Sequence, residues 1–287
     1  MGLDTIALVL IAATAHALWN VAAKYKRGDT LLFVWAYTFA SALLCLPIGL
    51  VLMAEQHQAL DGRLLVASVV SAVLHIVYSL ILQAGYDRAE LGVVYAVARG
   101  SGPLLTMVIA VTLLGERLGL AAMCGALLIV IGIFVVVGQV FGAAGRLLSP
   151  GVFWGVATGT SIAGYTLWDS HAVTGWHLPP VSYYAGTLLL QGLILTPFAL
   201  RRRHGIAVAL RANAAPILAV ALLSPLAYVL VLTAMQRAPV ALVAPMRESS
   251  IVIGSFLAWW FFHEGHLARR ILGGLIVLAG IMVISLF

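Results

Sequence analysis

Apolar residues run along this chain in blocks of about 20, the length an α-helix needs to cross a bilayer, with short polar joints between them. Ten blocks can be laid end to end: Asp4 to Ala23, Leu31 to Met53, Leu64 to Gln83, Leu91 to Leu114, Leu120 to Gln139, Gly151 to Trp168, Val181 to Leu200, Ala214 to Met235, Val240 to Phe262 and Ile271 to Phe287. The pattern predicts an all-α integral membrane protein of ten transmembrane helices, with no room for a soluble domain.

Composition agrees. Of 287 residues, 63% are hydrophobic and 9% charged, whereas a soluble domain carries roughly 25% charged residues. The net charge of +6 does not point to nucleic acid, because the basic residues are scattered over joints and form no basic and aromatic surface. They sort by side instead. With Arg99 and Arg247 set apart inside spans, Lys24, Lys26, Arg27, Arg88, Arg146, Arg201, Arg202, Arg203, Arg211, Arg269 and Arg270 fall on one side, and Arg63, Arg117 and Arg237 on the other. The positive-inside rule makes the first side cytoplasmic. Both termini are then expected in the periplasm, with the chain in the inner (plasma) membrane. Lysines follow the first span rather than precede it, so it is expected to stay as a helix and not to leave as a signal peptide. Cys45 and Cys124 lie inside spans as small hydrophobes; no disulfide, metal site or cofactor is expected.

The second half repeats the first. "HALWN", with Trp19 and Asn20, corresponds to "YTLWD", with Trp168 and Asp169. "YSLILQAGYDRA", beginning at Tyr78, corresponds to "YVLVLTAMQRA", beginning at Tyr228, with one residue deleted. "LLGERLGLAAMCGALLIVIGI" aligns without a gap on "FFHEGHLARRILGGLIVLAGI", placing Glu116, Gly125, Gly132 and Ile133 on Glu264, Gly273, Gly280 and Ile281. The halves are residues 1–145 and 146–287. Five spans per half is an odd number, so the two halves enter the membrane from opposite sides. Inverted repeats of this kind support alternating access to a site near the midplane.

Two five-span repeats, each with a Trp late in its first span, a Tyr in its third and a "(L/F)(L/F)xE" before its last, resemble the drug/metabolite transporter superfamily and, within it, the EamA-type permeases. The resemblance covers nearly the whole chain and is closest to bacterial exporters of amino acids and related metabolites, aromatic amino acid exporters of the YddG type among them. It implies a basket of helices around a central cavity, with the last helix of each repeat at the periphery.

The candidate chemistry sits in the fourth and ninth spans. "AVARG" aligns with "APMRE", making Arg99 and Arg247 equivalent and placing both near the membrane centre from opposite sides. Each costs roughly 2.5 to 3.5 kcal/mol on insertion scales, so each should face water or a counter-ion. The counter-charge is either a substrate carboxylate, which a guanidinium binds in bidentate fashion, or a permanent acid, Glu248 or Asp169. Glu248 follows Arg247 directly, and adjacent residues on a helix point apart. Tyr95, Arg99 and Gly102 share a face. Gly100, Gly102 and Pro103 are expected to weaken the fourth helix as it crosses the centre, and Pro245 marks the ninth. Trp19, Trp168, Tyr78, Tyr228, Tyr165 and His75 are candidates for cavity walls. The tryptophans are equally suited to a membrane interface, and His75 either binds protons or bonds to a neighbouring helix. Glu116 and Glu264 are expected to cap the helix that follows each. Asn20 and Asp169 are placed near the membrane edge as gate or cap residues.

Other classes find little support. In "HEGHL" the second histidine of an H-E-x-x-H zinc motif comes one residue early. "RGSGP" lacks the first glycine of a nucleophile elbow, and no P-loop occurs. The expected function is a secondary transporter that exports small metabolites, most directly amino acids, by alternating access. Its partners are the substrate and the bilayer, and one chain suffices in principle. With no proton-carrying carboxylate evident inside a span, facilitated or weakly coupled export is expected. The alternatives are proton-coupled efflux of drug-like cations, weakened by His16 and Asn20 where such pumps bury a first-helix acid, and an intramembrane enzyme.

Overall fold

The computed structural model describes residues 1–55, 61–89, 91–137, 150–262 and 267–286. The first half forms α1 (Leu3–Lys24), α2 (Thr30–Glu55), α3 (Gly62–Arg88), α4 (Leu91–Thr112) and α5 (Leu120–Val137). The second forms α6 (Pro150–Thr174), α7 (Pro180–Leu200), α8 (Arg203–Ala212), α9 (Ala214–Met235), α10 (Val240–Arg247), α11 (Ser250–Phe262) and α12 (Leu267–Leu286). No strand occurs among the described residues. Helix starts follow local chemistry: the Asp29 carboxylate accepts the N–H groups of Leu31 and Leu32 at 2.8 and 3.2 Å, and Asp61 accepts that of Leu64 at 2.9 Å. Pro150 and Pro180 open α6 and α7, where a missing N–H costs nothing.

Five helices, α1 to α3, α7 and α9, contain stretches both long and apolar enough to span a bilayer. Their outward faces confirm the solvent they need. Leu65, Val69, Val73 and Val77 make an exposed row at every fourth position of α3, as do Leu218, Leu222 and Leu226 on α9. Water would reject such stripes; lipid does not.

Four local expectations change. The sixth span does not stop at Trp168: no breaker follows until Gly175, and α6 continues to Thr174, leaving Asp169 about 8 Å inside its end at 1.5 Å per residue. The ninth span is two helices, α10 and α11, joined by a tightened turn in which the N–H groups of Glu248, Ser249, Ile251 and Val252 donate to carbonyls three residues back. Its counterpart α4 runs unbroken through Gly100, Gly102 and Pro103. The glycines there make room for neighbours: a Cβ on Gly100 would fall 1.9 Å from the Phe134 ring of α5, and one on Gly102 would meet Ile162 of α6 at 3.1 Å. The 201–213 joint, expected as a plain connection, carries the short amphipathic helix α8.

Joint contacts check the count of spans. Asn213 accepts the Arg27 N–H at 2.7 Å and returns a bond to the Arg27 carbonyl at 2.9 Å, while Arg202 pairs with Asp29 at 2.5 Å. The first and seventh joints therefore share a side. Arg237 pairs with Asp4 at 3.1 Å, and Glu116 binds the start of α10, so the N-terminus, fourth and eighth joints share the other. Alternation of ten spans demands this arrangement.

The largest helix contacts cross between the halves and come in exchanged couples. α4 lies on α6 as α1 lies on α10 and α11; α3 lies on α6 as α1 lies on α9; α3 lies on α7 as α2 lies on α9. α2 with α7, and α5 with α12, pair helix to equivalent helix. This is the signature of a pseudo-twofold axis. At the α5–α12 crossing, a Cβ on Gly125 would meet the Gly280 carbonyl at 2.8 Å and one on Gly280 the Gly125 carbonyl at 2.6 Å. Backbones that close need small residues at the contact. The expected boundary between the halves, 145/146, lies outside the described residues.

Candidate functional site

A cavity of about 140 Å³ lies between the halves. α1 supplies His16 and Trp19, α2 Tyr37, α3 His75 and Tyr78, and α4 Arg99. The second half supplies Tyr165 from α6, Tyr184 and Gln191 from α7, Tyr228 from α9 and Arg247 from α10. No described residue of α5, α11 or α12 faces it; for α5 and α12, the last helices of the two repeats, this agrees with the peripheral place that the resemblance implies.

One wall is cationic. Glu248, 1% exposed, accepts from Arg99 Nη1 at 2.9 Å through Oε2, and from Arg247 Nη2 and Nε at 3.0 and 3.2 Å through Oε1. Adjacent residues 247 and 248 bond across the tightened turn that follows the end of α10 at Arg247. The permanent acid is therefore Glu248, not Asp169. Arg99 Nη2 also lies 3.4 Å from His16 Nε2. Two guanidiniums and one carboxylate leave this cluster with one net positive charge.

The opposite element holds a buried carboxylate. Asp169, expected near the membrane edge, is fully buried, its two oxygens accepting hydrogen bonds from the hydroxyls of Tyr183 (2.5 Å) and Tyr228. His75 Nε2 stands 3.9 Å from Oδ2. The imidazole is stacked on Tyr165, with ring centroids 4.2 Å apart, and meets Tyr228 edge-on at 5.5 Å. Asp169 itself is screened from the cavity by these rings.

The remaining candidates scatter. Trp168 donates its indole N–H to the Ala67 carbonyl at 3.1 Å and packs on Trp176, fastening α6 to α3 away from the cavity. Asn20 is exposed and bonds its own helix at the His16 carbonyl, 2.7 Å away. Pro245 is buried within α10. Tyr95 lies in α4, and its side chain falls outside the described residues, as does Glu264. Glu116 caps not the helix that follows it but α10 of the other half, accepting the N–H groups of Val240 and Ala241 at 2.9 and 3.0 Å. His16, Tyr37, Tyr183 and Tyr184 were not anticipated. A signal for one pair exists: "VWAY" and "VSYY" align with Tyr37 on Tyr184 at an offset of 147.

Ten spans in two interlocked halves of opposite entry, closing on a small polar cavity at membrane depth, define a membrane transporter for small molecules. The EamA-like transporter family matches residues 4–138 and 149–286, and this chain belongs to it. No curated protein matches the chain in sequence. A solved structure described only as "Crystal structure of protein" shares the fold over 99% of this chain and 96% of its own, with a TM-score of 0.73 at 17% sequence identity.

Proposed function

We propose that this chain is a secondary transporter that exports amino acids from the cell, by alternating access through the cavity. The observation that carries the reading is a pair of opposite poles in one small space. The Arg99–Glu248–Arg247 cluster, two guanidiniums around one carboxylate, presents a cationic wall to an α-carboxylate, and His75, backed by Asp169, offers an acceptor to an α-ammonium. Neither a simple cation nor a simple anion uses both poles. The volume of about 140 Å³ suits an amino acid and falls short of the 300 to 1,000 Å³ usual for drug-sized ligands. Tyr37, Tyr78, Tyr165, Tyr184 and Tyr228, with Trp19, add six aromatic side chains to a wall otherwise made, outside the two poles, of polar and aliphatic side chains, which favours aromatic substrates through offset and edge-on packing.

Alternating access assigns the moving parts. The turn at Glu248 and Ser249, with Pro245 before it, is the hinge of the second half; at the equivalent position of the first, α4 stays unbroken, and Gly100 and Gly102 let it slide closely against α5 and α6. Glu116 links the α4–α5 joint to the start of α10, so displacement of one half reaches the helix that carries Arg247. One chain contains both halves and works as a monomer, with its termini in the periplasm of an inner-membrane protein. An uptake and efflux screen of amino acids with the purified protein in liposomes tests the reading. Zwitterionic amino acids should be moved, and their decarboxylated amines should not. Transport of the amines alone, or of no amino acid, overturns it.

A further inference from the structure

The cationic pole has its own permanent acid; among the described residues, no lysine or arginine stands within ion-pair distance of the Asp169 carboxylate. Among the described residues, the one group near it able to carry positive charge is His75, at 3.9 Å. A buried, ionised carboxylate without a cation is costly, and two phenol donors relieve only part of that cost.

The state of the imidazole can be read from its bonds. Nδ1 lies 2.9 Å from the Ser71 carbonyl oxygen, which can only accept, and 3.3 Å from the Ser71 hydroxyl, which can accept as well as donate; the shorter contact puts the hydrogen of the neutral ring on Nδ1. Nε2 then holds a lone pair, and this nitrogen both faces Asp169 and belongs to a ring that lines the cavity. The neighbours from each packed element are Tyr165 of α6, Tyr183 and Tyr184 of α7 and Tyr228 of α9. Arg99 of α4 and Arg247 of α10 share the cavity and are held by Glu248.

Resting on the reading of the cavity as an amino acid site, we propose that His75 and Asp169 form a proton site that exchanges one proton for the ammonium of the substrate. With Nε2 unprotonated, the pole carries one negative charge and binds an ammonium N–H at Nε2. A proton arriving from water on one side adds to the Nε2 lone pair; the imidazolium and carboxylate cancel, and the ammonium loses its partner. When the proton returns to water on the other side, the pole is restored. No other bond forms or breaks. Proton and substrate compete for one site, so they cross in opposite directions. Coupled exchange replaces the facilitated export expected when Asp169 was placed at the membrane edge. His75 holds the proton, and Asp169 is a positioning residue that acts through it.

The test uses purified protein in liposomes with the membrane potential clamped at zero and tritiated phenylalanine as probe. With the interior one pH unit more acidic, one-for-one exchange drives internal phenylalanine toward about tenfold the external concentration. His75→Gln loses the imidazole that meets the ammonium, so its KM for phenylalanine should rise; at saturating phenylalanine the counterflow that remains should only equilibrate and ignore the pH gradient. At equal pH on both sides, wild-type counterflow should slow as the medium is acidified, while that of His75→Gln and of Asp169→Asn stays flat. Should Asp169→Asn fail to fold, the half-buried His75 variant carries the test. The proposal is overturned if wild type shows counterflow but ignores the pH gradient, or if His75→Gln accumulates phenylalanine as wild type does. Absence of wild-type counterflow for phenylalanine and for every other amino acid of the screen overturns the amino acid reading itself, and this proposal with it.

Discussion

Glu248→Gln is the sharpest perturbation of the cationic wall. Glu248 holds two guanidiniums through contacts of 2.9, 3.0 and 3.2 Å, and the acid and Arg247 are 1% and 4% exposed. Glutamine keeps the shape and one acceptor, but turns an NH2 toward one of the two arginines and leaves two like charges with no counter-charge. Removing one partner of a buried ion pair costs about 3 to 5 kcal/mol. The lower end applies here, because the Arg99 side chain retains 11% exposure and can turn to cavity water. At about 2 to 4 °C per kcal/mol for a chain of this order of size, 3 kcal/mol lowers the apparent melting temperature in detergent by about 6 to 12 °C. Arg99→Gln with Glu248→Gln removes one charge of each sign and should recover at least about 1 kcal/mol relative to the sum of the singles. A Glu248→Gln protein that melts within about 1 °C of wild type would refute the shared ion cluster.

Arg99→Gln, with the wall's net charge gone, should weaken amino acid transport about 10- to 100-fold in KM, the equivalent of 1.4 to 2.8 kcal/mol, and leave any residual amine uptake unaffected; equal losses for both in the transport assay would contradict the carboxylate role. Gly125→Ala would gain up to about 1 kcal/mol on helix propensity alone, yet its new Cβ meets the Gly280 carbonyl at 2.8 Å, so a net loss of about 1 to 3 kcal/mol is expected in thermal melts. Glu116→Ala should cost about 0.5 to 2 kcal/mol by uncapping α10, and slow counterflow as well as lower the melting temperature. Burial raises the affinity of Asp29 for a proton, but its bond from Arg202 and those from the Leu32 and Leu31 N–H groups outweigh this and hold the carboxyl below its ordinary value of 3.8. Its contribution is therefore complete above that value and is lost as pH falls through the lower, folded one; melts between pH 5 and 2 should show an acid decline that Asp29→Asn lacks.

Much of the architecture is legible in the residues because lipid imposes one rule on every span: length and apolar content. The repeat follows from aligned motifs, and with it the equivalence of Arg99 and Arg247. Features settled by contacts between the halves are harder to see. Asp169 resembles a span terminator by composition, but phenols from α7 and α9 satisfy it and allow α6 to continue for five residues. Gly100 and Gly102 resemble a break in α4, but their lack of a Cβ is used by Phe134 and Ile162. The actual break falls after Pro245, in the half with fewer glycines at that position. Glu116 looks like a local cap; its partners are 124 and 125 residues away.

The most direct test of alternating access is trans-stimulation in proteoliposomes. Unlabelled phenylalanine inside should accelerate the entry of labelled phenylalanine and drive its transient accumulation above the external level, because a loaded cavity returns faster than an empty one. Entry at the same rate with and without internal phenylalanine, with no overshoot, would contradict the account and mark an open channel.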